Sequence, residues 1–154
     1  MRDRLIKFLA TGFGAGNFPV GPGTAGSVVG LGYWWLLTRG PTWSYWLTFV
    51  VVVLAAVWLS GAAAEILRRP DPSCVVIDEI CAMPLVLAGI GHVWWQVAIG
   101  FIWFRIFDVW KPPPVRQAQA FVGGIGIVLD DLLAAGYACA TTHGVLWLIA
   151  RAHH

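Results

Sequence analysis

Charge is what this sequence has least of. Only 12% of its residues are Asp, Glu, Lys or Arg, against about 25% in soluble domains, while 58% are hydrophobic and the mean hydropathy is +0.73. That balance excludes a water-soluble globule and reads as an integral membrane protein. A net charge of +2 with scattered basic residues excludes a nucleic-acid surface, which needs a basic patch or stripe. Cysteine is scarce as well. Cys74, Cys81 and Cys139 are odd in number and lie in or beside apolar segments, which excludes a disulfide framework and suits small buried hydrophobes. None opens a C-x5-R phosphatase signature, because Ile80, Leu87 and Val145 stand where the Arg would be. The opening MRDRLIKFLATG has too short an apolar run for a cleavable signal peptide and reads as a cytoplasmic, interfacial amphipathic segment. The chain shows no internal repeat and no composition break, so residues 1–154 are expected to form a single integral-membrane domain.

What is present is tryptophan, glycine and a few acids in unusual places. Ten Trp fit aromatic anchoring at membrane interfaces. A Gly/Pro-rich loop is expected from Gly12 to Gly26, feeding an apolar stretch from Ser27 to Leu37. Gly21, Gly23 and Gly26 match G-x-G-x-x-G formally, but Pro22 interrupts the run and no strand precedes it, so a dinucleotide site is rejected. Two readings remain, a tight turn with close helix packing or a phosphate cradle of backbone N–H groups with Thr24 and Ser27 at a helix N-terminus. Thr42 to Ala64 is the cleanest spanning segment, about 34 Å if helical. Glu65 at its end reads as a solvated interfacial acid.

Cys74 to Phe107 poses the topological question. One long helix would place Asp78 and Asp108 on opposite membrane faces. Two short helices, about Ser73 to Ala88 and His92 to Asp108 around a Gly-Ile-Gly turn, would return both acids to one face. Arg68 and Arg69 before the region and Lys111 and Arg116 after it favour the hairpin, since basic residues prefer the cytoplasmic side. Lys111 to Phe121, opened by Pro112, Pro113 and Pro114, reads as a cytoplasmic loop or interfacial arm. A last apolar helix is expected from Ile127 or Leu129 to Ala150. The expectation is an all-α, polytopic helical bundle with about five membrane-inserted helices, its N-terminus and every acidic cluster on the cytoplasmic side.

Within that frame, VVIDEICAMP at 75–84 sets Asp78 and Glu79 in an apolar run, where an ionised carboxylate costs several kcal/mol unless neutralised. Asp108, Asp130 and Asp131 lie in similar settings. Five acids in three clusters point to a bound cation, and hard divalent ions such as Mg²⁺ take a few carboxylates together with water and phosphate oxygens. Adjacent helical residues point about 100° apart, so both members of a pair need not be ligands. His92, His143, His153 and His154 are badly placed for a zinc site. Arg105, three residues before Asp108, suits either an intrahelical ion pair or phosphate recognition. Lys111 and Arg116 are interfacial charges or phosphate contacts. Acids, bases and a Gly-rich loop at a membrane surface suit phosphoester chemistry on a lipid headgroup. A cation transporter is the rival reading, because intramembrane acids also mark ion pathways.

Four separated motifs then carry a resemblance: GPGTAGS at 21–27, IDEICAMP at 77–84, FDVWKPPP at 107–114 and GGIGIVLDDLLAAG at 123–136. Together they resemble phosphatidylglycerophosphatase A, a family of bacterial inner-membrane lipid phosphatases. The resemblance implies Mg²⁺-dependent hydrolysis of the terminal phosphate of phosphatidylglycerophosphate, giving phosphatidylglycerol and phosphate, in a multi-pass protein whose site faces the cytoplasm. Asp78, Glu79, Asp108, Asp130 and Asp131 are then the expected catalytic and metal-binding acids, with Lys111 beside them. Motifs of two other lipid-phosphate enzyme classes, D-x-x-D-G-x-x-A-R and P-S-G-H, are absent.

Overall fold

The computed structural model describes residues 1–152, and among them it is all-helical. The helices are α1 (Arg2–Ala10), α2 (Pro22–Leu37), α3 (Thr42–Leu67), α4 (Ile77–Val86), α5 (Trp94–Trp110), α6 (Val115–Ala118) and α7 (Gly124–Ala152), with a 3₁₀ turn at Ala15–Asn17. Two of them, α3 and α7, are long and apolar enough to cross a membrane. Their outer faces stay apolar: α3 exposes Trp43, Leu47, Val50, Val51, Leu54 and Trp58. An apolar surface of that extent needs a nonaqueous neighbour, and it fits a membrane protein.

The acid-bearing stretch 75–84 supplies most of the central helix, α4. Ile80, Cys81, Ala82, Met83, Pro84 and Val86 of α4 are buried, enclosed by α2, α3, α5 and α7. Close approach of α2 depends on absent side chains, because a Cβ at Gly26 would collide with Val76 and one at Gly30 with Met83. The Tyr45 hydroxyl on α3 donates to the Pro84 carbonyl at 2.6 Å, occupying an acceptor that the end of this short helix leaves free. Gly124, at the start of α7, lies against the α3 backbone at Val57 and Gly61. That contact sets the height of Asp130 and Asp131.

The hairpin reading of Cys74 to Phe107 holds, with α4 and α5 separated by residues 87–93. The boundaries differ from expectation for local reasons. The first arm begins at Ile77 rather than Ser73, because residues 74–76 run alongside α1 and the Val76 N–H donates to the Ala10 carbonyl at 3.0 Å. It ends at Val86 rather than Ala88, and Gly89 closes the turn at φ +75°, a left-handed conformation that glycine adopts without strain. The second arm runs Trp94–Trp110 and stops at Lys111, at φ +49° and just before Pro112. The expected loop to Gly26 ends earlier, since Gly21 caps α2 and Pro22 opens it, where proline's fixed φ favours the helix. Within the expected arm 111–121 a single helical turn, α6, forms.

Candidate active site

Asp78 and Glu79 fall in the first turn of α4, where unpaired backbone N–H groups and the helix dipole favour negative charge. Asp108 lies near the end of α5, and Asp130 and Asp131 two turns into α7. The hairpin and the docking of α7 bring all five into one cavity of about 290 Å³, lined also by Gly21, Pro22, Gly23, Asp71, Ser73, Val75, Arg105, Lys111 and Ile127. Six carboxylates there face two bases. Asp78, Asp130 and Asp131 are only 7%, 4% and 4% exposed.

The bases do not neutralise the acids evenly. Lys111 Nζ donates to Asp130 Oδ2 at 2.6 Å and stands 4.0 Å from Asp108 Oδ1. Burial pulls the Lys111 pKa down, but the hydrogen bond and the fields of Asp130, Asp108 and Asp131 outweigh it and hold it above the ordinary lysine value. Arg105 Nη1 donates to Asp108 Oδ2 at 2.9 Å, lies 4.0 Å from Glu79 Oε1, and also reaches Ser27 Oγ at 3.4 Å. What remains is Asp78, Glu79 and Asp131, which can each offer an oxygen so that all three lie within 4.8 Å of one another. Glu79 Oε2, Asp130 Oδ1 and Asp131 Oδ2 are buried without a hydrogen-bond partner. Buried acceptors without donors are costly, and like-charged carboxylates at this spacing repel. A cation among them answers both costs, and an all-oxygen donor set suits a hard divalent ion rather than a soft one.

The other expected residues are distributed unevenly. Ser27 is fully buried, donates from its hydroxyl to the Gly23 carbonyl at 2.9 Å and receives Arg105, so it orients the guanidinium from behind. Thr24 is exposed on α2 and Arg116 exposed on α6, and neither lines the cavity. Of the expected phosphate cradle, Gly21, Pro22 and Gly23 do reach the cavity wall, and a Cβ on Gly23 would collide with the Glu79 carboxylate. His92 packs on Trp34, and His143 hydrogen-bonds the Ala88 carbonyl at 2.9 Å, both far along the hairpin from the acids. His153 and His154 lie outside the described residues. The three cysteines are free. Sequence reasoning missed Asp71 and Ser73. Their signal was an acid and a hydroxyl in the R-R-P-D-P-S turn that leads into residues 75–84.

Fold and site together define an all-helical protein, among the described residues, with the apolar surface of a membrane protein and with carboxylates and two bases gathered in one small cavity. The chain belongs to the phosphatidylglycerophosphatase A family, whose model matches residues 8–146. Phosphatidylglycerophosphatase A of Escherichia coli is 37% identical over 148 residues, spanning 95% of this chain and 83% of that one. The Haemophilus influenzae protein of the same name is 34% identical over 149 residues, covering 94% and 91%. A Bacteroides thetaiotaomicron protein provisionally named a phosphatidylinositol-3-phosphatase is 37% identical over 155 residues, covering 94% and 96%. No solved structure matches the chain.

Proposed function

We propose that this chain hydrolyses the terminal phosphate of phosphatidylglycerophosphate in phospholipid synthesis, with Mg²⁺ as cofactor, at the cytoplasmic face of the bacterial inner membrane. The observation that carries the reading is the trio Asp78, Glu79 and Asp131, which stays short of positive charge although Arg105 and Lys111 stand beside it. Those three residues would hold the ion. When bound, it supplies positive charge opposite the phosphate oxygens and Lewis-acid activation of the nucleophile.

The remaining steps belong to the chain's own groups. Arg105, braced by Asp108 and Ser27, presents its guanidinium fork to phosphate oxygens, a geometry that guanidinium matches in two directions. Lys111, fixed by Asp130, adds a second positive charge, so both bases are held in place before substrate arrives, as electrostatic catalysis requires. The cavity carboxylates offer two routes to attack on phosphorus: one takes a proton from an attacking water, or one attacks directly and forms an acyl phosphate that water then cleaves. On both, the P–O bond to the glycerol breaks and its oxygen, once protonated, leaves as the hydroxyl of phosphatidylglycerol. A phosphorylated carboxylate trapped by rapid acid quench during turnover marks the second route, and single-turnover phosphate release with no such adduct at any time marks the first.

The Bacteroides relative supports a second reading, a phosphoinositide headgroup. Both substrates present a phosphate monoester on a membrane lipid, and the acid cluster does not by itself choose between them. Purified protein should release phosphate from phosphatidylglycerophosphate in preference to phosphatidylinositol 3-phosphate, only with a divalent cation present. Release from neither, with Mg²⁺ supplied, would remove both readings.

We also propose that α2, α3, α4, α5 and α7 are all membrane-inserted, with α4 and α5 as a re-entrant pair. At 10 residues, α4 reaches about 15 Å and cannot cross a hydrocarbon core of about 30 Å, but buried among its neighbours it has no need to. Single cysteines at positions 71 and 113, in a cysteine-free background, should be labelled from the cytoplasm, and one at 91 not from that side.

A further inference from the structure

Outside the carboxylate cavity, a broad, shallow hollow follows α5. It has a volume of about 790 Å³ and lies on one face of α5, over Phe101, Ile102, Ile106, Val109 and Trp110 with Arg105 among them. A second hollow of about 320 Å³ opens between α2 and α5 on Val28, Leu31 and Ala98, and it shares Phe101 and Ile102 with the first. The two adjoin at Phe101 and Ile102, so together they form an apolar furrow that α5 lines throughout and α2 lines in part. Arg105 is its charged residue, and the same side chain lines the carboxylate cavity.

We infer that this furrow receives one acyl chain of the lipid substrate, which enters sideways from the bilayer while its phosphate passes Arg105 into the acid cavity. The inference rests on the proposed lipid phosphate monoester as substrate. Charge complementarity supports it, because a guanidinium at the junction of an apolar furrow and a polar cavity matches the junction of acyl chains and phosphate in the lipid. Length supports it too. From Trp94 to Arg105 the furrow follows α5 for roughly 16 Å at 1.5 Å per residue, close to one leaflet of a core about 30 Å thick. Val28 and Ile102 stand 55% and 56% exposed on its two sides, so the space between α2 and α5 is left open to an aliphatic chain. Ser27, one residue before Val28, touches Arg105 at 3.4 Å, tying the α2 wall to the cavity mouth.

The test uses the full chain in phosphatidylcholine nanodiscs and a diacyl lipid phosphate monoester carrying a diazirine midway along one acyl chain. Photolabelling should concentrate on α2 and α5, and it should be competed by the unlabelled lipid phosphate but not by the matching diacylglycerol. Ala98→Trp and Val28→Trp, filling the furrow from opposite walls, should lower that labelling. Each should also reduce the ratio of kcat/KM for a long-chain over a short-chain substrate by about tenfold, the worth of roughly two methylenes removed from apolar contact. Leu54→Trp, on the exposed face of α3, should leave the ratio alone. Labelling spread over the outer faces of α3 and α7, or a ratio unmoved in both furrow variants, would overturn the inference and reduce the furrow to ordinary bilayer contact. Labelling needs no turnover, so specific labelling of α2 and α5 without phosphate release would uphold the furrow while rejecting the proposed hydrolysis.

Discussion

Two adjacent acid pairs sit on two helices of this protein, and they are used differently. On α4 both members of the pair, Asp78 and Glu79, join the trio. On α7 the pair divides. Asp131 faces α4 and completes the trio, while Asp130 turns toward the end of α5 and holds Lys111 at 2.6 Å. Identical chemistry in two neighbouring residues is therefore split by the 100° step of the helix, and each half acquires the role its neighbours leave open. The lesson is that an acid pair in an apolar helix specifies a charged site but not which member binds what.

The sharpest way to break this division is to neutralise one acid of each kind. Asp78→Asn and Asp131→Asn should each lower phosphate release by at least about 100-fold, the scale of losing preorganised charge stabilisation at a transferring phosphoryl group. Thermal unfolding without metal should stay level or rise in both, because removing one of several like charges relieves repulsion. Loss of activity together with loss of folding would instead make these acids structural.

Metal linkage separates the two kinds of acid further. Saturating Mg²⁺ should stabilise the unsubstituted chain by about 2.7 kcal/mol at one hundred times Kd, read as a rise in its unfolding midpoint. Asp131→Asn should lose most of that gain and Asp130→Asn should keep it. Equal losses in the two variants would erase the contrast within the α7 pair. Chelation should abolish hydrolysis and added Mg²⁺ restore it.

A smaller effect is expected from Lys111→Met, which strips Asp130 of its partner. The pair is partly buried, so its removal should cost about 2 kcal/mol, between the values for surface and fully buried pairs. The folded Lys111 pKa is raised, so the stabilisation it brings is complete below the unfolded lysine value of about 10.4 and is lost as pH climbs through the folded value. The stability gap between the unsubstituted chain and Lys111→Met should thus be level from about pH 7 to 9 and close only above about 10.4. A gap that closed near neutrality would assign the effect to another group. Least of all should change in Thr24→Ala and Arg116→Ala, exposed residues outside the cavity, with stability within about 0.5 kcal/mol and phosphate release within about twofold.

The low charge, the apolar lengths of 42–64 and 127–150 and the five acids stranded among them were all legible in the sequence, because transfer energies act on each residue wherever the chain goes. So was the hairpin, since only a turn between Asp78 and Asp108 returns two costly charges to one place. The family motifs are likewise local strings, readable without a fold. Tertiary structure alone decided that Asp131 rather than Asp130 joins the α4 pair, that Ser27 braces Arg105 instead of lining the cavity, and that Asp71 and Ser73 belong to the cavity wall. Those outcomes depend on the rotation and height at which α7 and α2 pack on α4. Contacts between distant backbones at Gly124, Gly26 and Gly30 set both, and no local preference of the residues concerned encodes them.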